Sequence, residues 1–262
     1  MSKTLGGSLF IIDGAKFDYC FMEAATSLIA LCDEVVLLDA GSNDGTAELL
    51  KTLESDKVKV ILLDRTEWET LRPIGKDRLA HFKNMAIDHL TTDWNINIEG
   101  DEVIHEDSFS FIREAINQDA EAWLCHRFNL WGTPYHMLNV PQERKPCSNE
   151  VIRLAKTKYR SSGDAESLDA QVKGFVDGIR IFHMGFVRKP DVMIKKIINI
   201  QEQIYLMDHD RRIDPMGDKF DPWAIFSKDD VVPSHPTCLF SLKNGLLKEC
   251  QIIPNFKVIC PR

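Results

Sequence analysis

Glu99 and Asp101 stand two residues apart in the stretch Trp94–His105, WNINIEGDEVIH. Trp94, Ile96 and Ile98 alternate there with Asn95, Asn97 and Glu99, the period of a strand with two unlike faces. In extended geometry residues two apart point the same way, so Glu99 and Asp101 are expected to share a face at the strand's tip. Two carboxylates placed together repel unless a cation, a proton or a basic group lies between them. A divalent metal suits that arrangement, and Mg²⁺ or Mn²⁺ held by one or two carboxylates completes its shell with substrate phosphates. A solvated turn after the strand, at Gly100, Asp101 and Glu102, accounts for the same residues without a ligand.

Asp39 ends the run EVVLLD and is followed by Ala40-Gly-Ser-Asn-Asp-Gly-Thr46. A loop of small residues with free backbone N–H groups lets a nucleotide approach closely, which makes Asp39 and Ser42 candidate nucleotide contacts. Asp39 is placed to accept hydrogen bonds from a base; it can instead cap its own loop. For Asp44 the capping of a helix near Thr46 is the preferred account. Later in the chain the loop Ser161–Ser167 carries Asp164 and Glu166. Either carboxylate can take a proton from an attacking hydroxyl, Asp164 first and Glu166 in reserve; a solvated loop is the competing account. Within Ile179–Arg188, IRIFHMGFVR, His183 stands at the end of an apolar strand, with Arg188, Lys189, Lys195 and Lys196 nearby. It is a candidate metal ligand, a role that requires a neutral imidazole and so weakens at low pH. A hydrogen-bonded structural histidine is the plainer reading.

The elements that must position these groups alternate. Strands are expected at Ser8–Ile12, Glu34–Asp39 and Val58–Leu63. Helices are expected over residues 18–31 and Ala47–Leu53, and over Lys76–Leu90 before the strand that opens at Trp94. Such β, α, β order indicates a mostly parallel α/β sheet with helices on its faces, a Rossmann-like nucleotide-binding half. Ligands of open α/β sheets sit beyond the carboxyl ends of the strands, where Asp39, Glu99 and Asp101 fall. The pattern further on predicts short strands at Glu121–Phe128 and Val151–Ala155. Between them comes an aromatic turn in which Trp131 and Tyr135 either contact an acceptor or line the core. Asp191–Asp208 has helical apolar spacing and is expected to lie against the catalytic domain, a membrane-surface role being the livelier alternative. Residues 209–236 read as an irregular, Pro-punctuated segment.

Asp39-Ala-Gly-Ser-Asn-Asp-Gly-Thr46, followed about fifty residues later by Thr92-Asp-Trp-Asn-Ile-Asn-Ile-Glu-Gly-Asp-Glu102, resembles a family 2 glycosyltransferase of the GT-A fold. The resemblance implies that Asp39 contacts the nucleotide base and that the acidic motif holds a divalent cation on the diphosphate of a nucleotide sugar. Lys76, Arg78, Lys83 and Asn84 resemble the Arg/Asn-bearing helix that precedes that motif, and by resemblance Lys76, Arg78 and Asn84 are donor-binding candidates. A late His can be a further ligand and a neighbouring Arg can grip the diphosphate, which implicates His183 and Arg188. The match spans roughly residues 8–105. It departs from the family at Glu99, where Asp is usual, leaving Asp101 the safer metal ligand and Glu99 a ribose or metal contact. Asn95 and Asn97 depart too, and imply a polar partner for that strand face or a place at the sheet's edge. The resulting expectation is a GT-A-like catalytic domain over residues 1–188 with a helical and irregular extension over 189–262. Its activity would be transfer of a sugar from a nucleotide-diphospho-sugar, with Mg²⁺ or Mn²⁺ and inversion, to an acceptor that is a glycan, lipid, protein or nucleic acid. A nucleotidyltransferase on a related fold and a non-catalytic nucleotide- or sugar-binding module are the rivals. The first lacks a long Gly-rich, Lys-bearing N-terminal loop; the second draws support from Glu99.

Composition bounds these readings. With 262 residues, 44% hydrophobic and 27% charged, the chain is long enough for a substantial core. A net charge of −8 and a pI near 5.5 argue against a general polyanion binder. Seven scattered cysteines without CxxC spacing argue against a zinc site or a disulfide framework. With no apolar run long enough to span a bilayer, the expectation is a cytoplasmic protein with reduced thiols.

Overall fold

The computed structural model describes residues 2–139, 147–207 and 231–233. In chain order the elements are β1 (Leu5–Ile11), α1 (Phe21–Leu31), β2 (Glu34–Asp39), α2 (Thr46–Lys51), β3 (Val58–Leu62), α3 (Arg65–Thr70), α4 (Asp77–Asp88), β4 (Trp94–Asn97), β5 (Glu102–Ile104) and α5 (Ser108–Ala115). They continue with β6 (Ala122–Trp131), β7 (Thr133–Leu138), β8 (Glu150–Lys156), β9 (Val172–Phe186), α6 (Pro190–Asn199), a π-helical turn (Ile200–Ile204) and β10 (Val231–Pro233).

One sheet runs through the described residues in the order β10-β7-β6-β8-β4-β1-β2-β3, with β9 joined to both β5 and β6. The half β4-β1-β2-β3 is parallel, as expected. The other half is mixed: β8 runs antiparallel to β4 and to β6, β7 antiparallel to β6, and β9 antiparallel to β5 but parallel to β6. The expected α/β sheet with helices on its faces is present, parallel in the β4-β1-β2-β3 half and mixed as a whole. The alternation of helix and strand that imposes parallel pairing stops after α5, and strands without an intervening crossover helix return antiparallel.

Helices cover both faces of the parallel half. On one face α1 and α5 bury Ala24, Leu28 and Ile112 with Leu5, Leu9, Trp94, Ile96 and Ile98. On the other, α3 and α4 pack Trp68, Phe82 and Ala86 against Val36 and Leu38. Because β2 is sandwiched, its sequence EVVLLD is apolar at every position between its two acids. Strand β4 is central, so an edge position does not explain its asparagines; a polar partner does. Ser8 of β1 donates from Oγ to Asn95 Oδ1 at 2.8 Å, and Asn97 donates from Nδ2 to Ser8 Oγ at 2.8 Å. A buried row of polar groups is thus linked across one strand pair, with Asn95 Nδ2 and Asn97 Oδ1 left without a hydrogen-bond partner among the described residues.

The long strand β9 carries the second half of the site. Its register pairs His183 with Glu102 of β5 on one side and with Asn129 of β6 on the other. Residues 209–230 and 234–236 of the Pro-punctuated segment, with His209 and His235, lie outside the described residues.

Candidate active site

The acidic motif sits one turn beyond β4. The strand ends at Asn97, and Glu99 and Asp101 lie in the turn that leads into β5 rather than on an extended tip. They converge all the same: ligand atoms of Glu99, Asp101 and His183 lie within 4.8 Å of one another. Gly100 makes the turn fit, because a Cβ there would meet Ile11 Cδ1 at 2.4 Å. Ile11 in turn is level with Asp39 across the β1–β2 pair. Asp39 and Asp101 therefore share the carboxyl edge of the parallel strands, with β1 between β2 and β4, a separation of about 10 Å between those strand axes.

These carboxylates are embedded in basic groups. Glu99 Oε1 accepts from the Arg153 guanidinium at 2.5 Å. Asp101 Oδ2 lies 3.1 Å from Lys196 Nζ and 3.7 Å from Arg188, and Oδ1 lies 3.7 Å from His183 Nε2. Burial pushes both carboxyls up. Arg153 at Glu99, and Lys196, His183 and Arg188 at Asp101, outweigh it, so both are held below their ordinary values. Burial lowers Lys196 to about 8 and moves His183 downward, which keeps the imidazole neutral at pH 7. Arg188 and Lys196 also lie over the Tyr19 ring, at 4.7 and 4.9 Å from its centroid.

Behind the motif is an ion network that local sequence patterns do not reveal. Glu102, fully buried, takes two hydrogen bonds of 2.8 Å from Arg153 and lies 3.4 Å from Arg127. Despite burial, these guanidiniums hold its carboxyl down at about 2. Arg127 reaches on to Glu166 at 2.6 Å, and Arg153 donates to the Glu166 carbonyl at 2.7 Å. The backbone N–H of Ser148 adds a second bond to the Glu166 side chain at 2.9 Å. Glu166 is thus a tethered carboxylate. Asp164, two residues before, lines the cleft and, among the described residues, accepts only a long 3.4 Å bond from the Glu166 N–H.

The loop between them is pinned from α4. Asn84 accepts from Ser161 N at 2.8 Å and donates to Ser161 O at 2.9 Å, and buried Lys83 donates to the carbonyl of Ala165. Ala165 has φ 63°, a left-handed conformation costly for a residue with a Cβ, and it is fixed by that lysine on one side and by Arg153 at Glu166 on the other. Burial brings Lys83 down to about 7.

A cleft of about 340 Å³ joins these groups. Glu99, Asp101, Asp164, Glu166, His183, Lys83, Arg127 and Lys196 face it, as do Phe10, Tyr19, Trp68 and, from the π-helical turn and its end, Ile200 and Tyr205. The sequence candidates Glu99, Asp101, Asp164, Glu166 and His183 come together here, and Arg188 stands directly behind Asp101. Asp39 lies further along the same edge. Its Oδ1 accepts from the N–H groups of Gly41 and Ser42, at 2.8 and 2.6 Å. Its Oδ2 is buried with no partner among the described residues, and burial raises its carboxyl. Ser42 uses its hydroxyl on the Asp13 N–H at 2.7 Å. Asp44 Oδ1 accepts from the Thr46 N–H at 3.1 Å and hydroxyl at 2.6 Å at the start of α2, whose N-cap position is held by Gly45 rather than by Asp44 as expected.

Of the donor-binding candidates only Glu99 lines the cleft; Asp39, Ser42 and Arg188 lie beside it, and Lys76, Arg78 and Asn84 are placed elsewhere. Lys76 is exposed outside it. Arg78 is buried over the Trp68 ring at 3.9 Å and bonds the carbonyls of Trp68 and Gln203. Asn84 spends both amide ends on Ser161. Trp131, one of the two acceptor candidates, is buried against Phe186 with ring centroids 4.8 Å apart, while Tyr135 is exposed; neither lines the cleft.

The donor set fits a divalent cation. Two carboxylates and one neutral imidazole suit Mg²⁺ or, with the nitrogen, Mn²⁺ better than a thiophilic metal. Gly185 leaves the space open: a Cβ there would stand 2.3 Å from His183 Nε2 and 3.3 Å from Asp101 Oδ2. Among the described residues this is the one such group of three. No helix described is long and apolar enough to cross a membrane.

No protein-family model matches the chain, and no curated protein matches it. Among solved structures, S. aureus TarS 1-349 is similar over 78% of this chain and 66% of that one, at 14% identity and a TM-score of 0.43. Its complex with UDP-GlcNAc gives 14% identity and 0.46 over 78% and 67%, and its complex with UDP gives 15% and 0.44 over 78% and 66%. The chain spans about two thirds of the length of that TarS fragment. At these values the likeness is one of chain path.

Proposed function

We propose that the protein is a metal-dependent glycosyltransferase of the GT-A type, similar to family 2, that moves a sugar from a nucleotide-diphospho-sugar to an acceptor hydroxyl with inversion. The observation that carries this reading is the meeting of Glu99, Asp101 and His183 at the carboxyl edge of a parallel sheet, across one cleft from Asp164. Asp101, Glu99 and His183 would hold Mg²⁺ or Mn²⁺. The cation supplies charge neutralisation for the departing diphosphate.

The chain's own residues do the rest. Asp39 offers its unpaired Oδ2 to an N–H of the nucleotide base, about two strands from the acidic motif. Lys196 and Arg188 meet the negative charge that develops as the sugar–diphosphate bond breaks. Asp164 takes the acceptor's hydroxyl proton while its oxygen forms the new bond to the anomeric carbon. Glu166, held by Arg127 and Ser148, fixes the loop on which Asp164 stands. Five acids (Glu99, Asp101, Glu102, Asp164, Glu166) face five bases (Lys83, Arg127, Arg153, Arg188, Lys196). A near-balanced site of this kind accepts a dication and a diphosphate together more readily than either alone.

A thermal-shift screen of nucleoside diphosphates and nucleotide sugars with and without Mn²⁺ tests the reading. The expected outcome is a shift with one nucleotide that grows with Mn²⁺, and metal-dependent donor turnover that Asp101→Ala abolishes while the fold persists. Full turnover in that variant would remove the metal site. A second reading, nucleotide binding without chemistry, is favoured by the pairing of Glu99 with Arg153 and of Asp101 with Lys196. Nucleotide binding with no turnover of any nucleotide sugar in Mn²⁺ would select it.

A further inference from the structure

We infer that Asn129 is a positioning residue of the cation site: it fixes which nitrogen of His183 carries the ring hydrogen and so presents the other as a ligand. The inference rests on the metal-dependent reading above and goes beyond it to a residue that sequence pattern does not mark.

Asn129 is buried on β6 beside His183 on β9. Its amide has one satisfactory orientation. Nδ2 faces three acceptors, Asn149 Oδ1 at 2.7 Å and the carbonyls of Cys147 and Ser148 at 3.4 and 3.5 Å. Turning the amide over would set its oxygen against the Cys147 and Ser148 carbonyls, which can only accept. Oδ1 therefore points the other way, to His183 Nδ1 at 2.8 Å and to the Cys147 thiol at 2.9 Å. An amide oxygen accepts and cannot donate, so Nδ1 must bear the hydrogen. In the neutral ring the lone pair is then on Nε2.

That nitrogen faces Asp101 Oδ1 at 3.7 Å. A lone pair set against a carboxylate is unfavourable by itself and becomes favourable with a cation between them. The hydrogen at Gly185 in place of a side chain leaves that space clear. Ligating histidines ordinarily have their second nitrogen committed to a fixed acceptor, which sets both tautomer and ring direction. Here the acceptor is itself held, because Asn149 secures the amide that secures the imidazole.

The test uses the full chain and Mn²⁺ as probe, with free Mn²⁺ read by electron paramagnetic resonance in the presence and absence of UDP. The His183 protonation pattern is read by ¹⁵N–¹H correlation on metal-free protein. Wild type should show a neutral ring with hydrogen on Nδ1. Asn129→Leu should lose that pattern and bind Mn²⁺ about 10- to 100-fold more weakly. Asn149→Ala, at a half-exposed position, should fold normally and weaken Mn²⁺ by about 3-fold, by freeing the amide to turn; it decides the matter if Asn129→Leu proves unstable. Wild-type Mn²⁺ uptake matched by both variants, or a His183 ring in metal-free wild type that carries its hydrogen on Nε2 and none on Nδ1, would overturn the role given to Asn129. Absence of Mn²⁺ uptake by wild type even with UDP would instead overturn the metal reading itself.

Discussion

Glu102→Gln removes one charge from the centre of the ion network while keeping volume and an acceptor oxygen. Its consequence can be worked from the structure. Glu102 is fully buried, and its carboxyl is held at about 2 against an ordinary 4.5, by Arg153 and Arg127 acting against burial. A folded-state value below the unfolded one means that the ionised form stabilises the fold above the unfolded pKa and that this is lost as pH falls through the folded one. The difference corresponds to about 3 kcal/mol at pH 7, in line with the roughly 3–5 kcal/mol lost when one partner of a buried pair is removed. Urea unfolding at pH 7 should therefore put Glu102→Gln about 3 kcal/mol below wild type. Between pH 4.5 and 2 the two curves should approach each other, with the gap down to less than half by about pH 3. A gap under about 1 kcal/mol at pH 7, or one unchanged in acid, would refute the assignment of Glu102 as the anion that binds the two guanidiniums.

Other carboxylates of the site have separable outcomes. Asp164→Asn should lower turnover about 10²- to 10⁴-fold with nucleotide affinity unchanged, because the group proposed to take the proton is gone while the proposed donor contacts remain. Glu166→Gln, which breaks a tether, should cost less in turnover and should lower the urea midpoint; equal turnover losses would contradict the division of roles. Asp39→Asn should weaken binding of the matching nucleoside diphosphate by about tenfold, read by calorimetry, since a base N–H loses an ionic acceptor; unchanged affinity would move the base elsewhere in the cleft.

Legibility in the sequence tracks the range of the interactions concerned. EVVLLD announces β2 because both its faces are buried, and WNINIEGDE announces the acidic site because strand, turn and carboxylates are contiguous. Pairing direction in the second half was not legible. β5 and the early part of β9 are set by partners far along the chain, while Trp131-Gly-Thr-Pro-Tyr-His136, read as a turn, turns only at Gly132 and opens into β7, which pairs back on β6. Arg127 and Arg153 were invisible for the same reason, since Glu102 lies 25 and 51 residues away from them. Asn84 and Arg78 show the converse. Their residue types suggest donor contact, yet Asn84 is committed to a loop 77 residues on and Arg78 to Trp68 and the turn after α6.

The segment that begins at Pro190 does two jobs with one piece of backbone. It extends Lys196 to Asp101 and to the carbonyl of Gly185, and a few residues on, Ile200, Ile204 and Tyr205 form part of the cleft wall. Transplanting this segment from another protein to alter which acceptor enters would therefore also reset the affinity for the cation. An engineer who wants to vary one without the other must keep residue 196 and the turn of helix beneath it, and exchange only the wall residues from Ile200 onward.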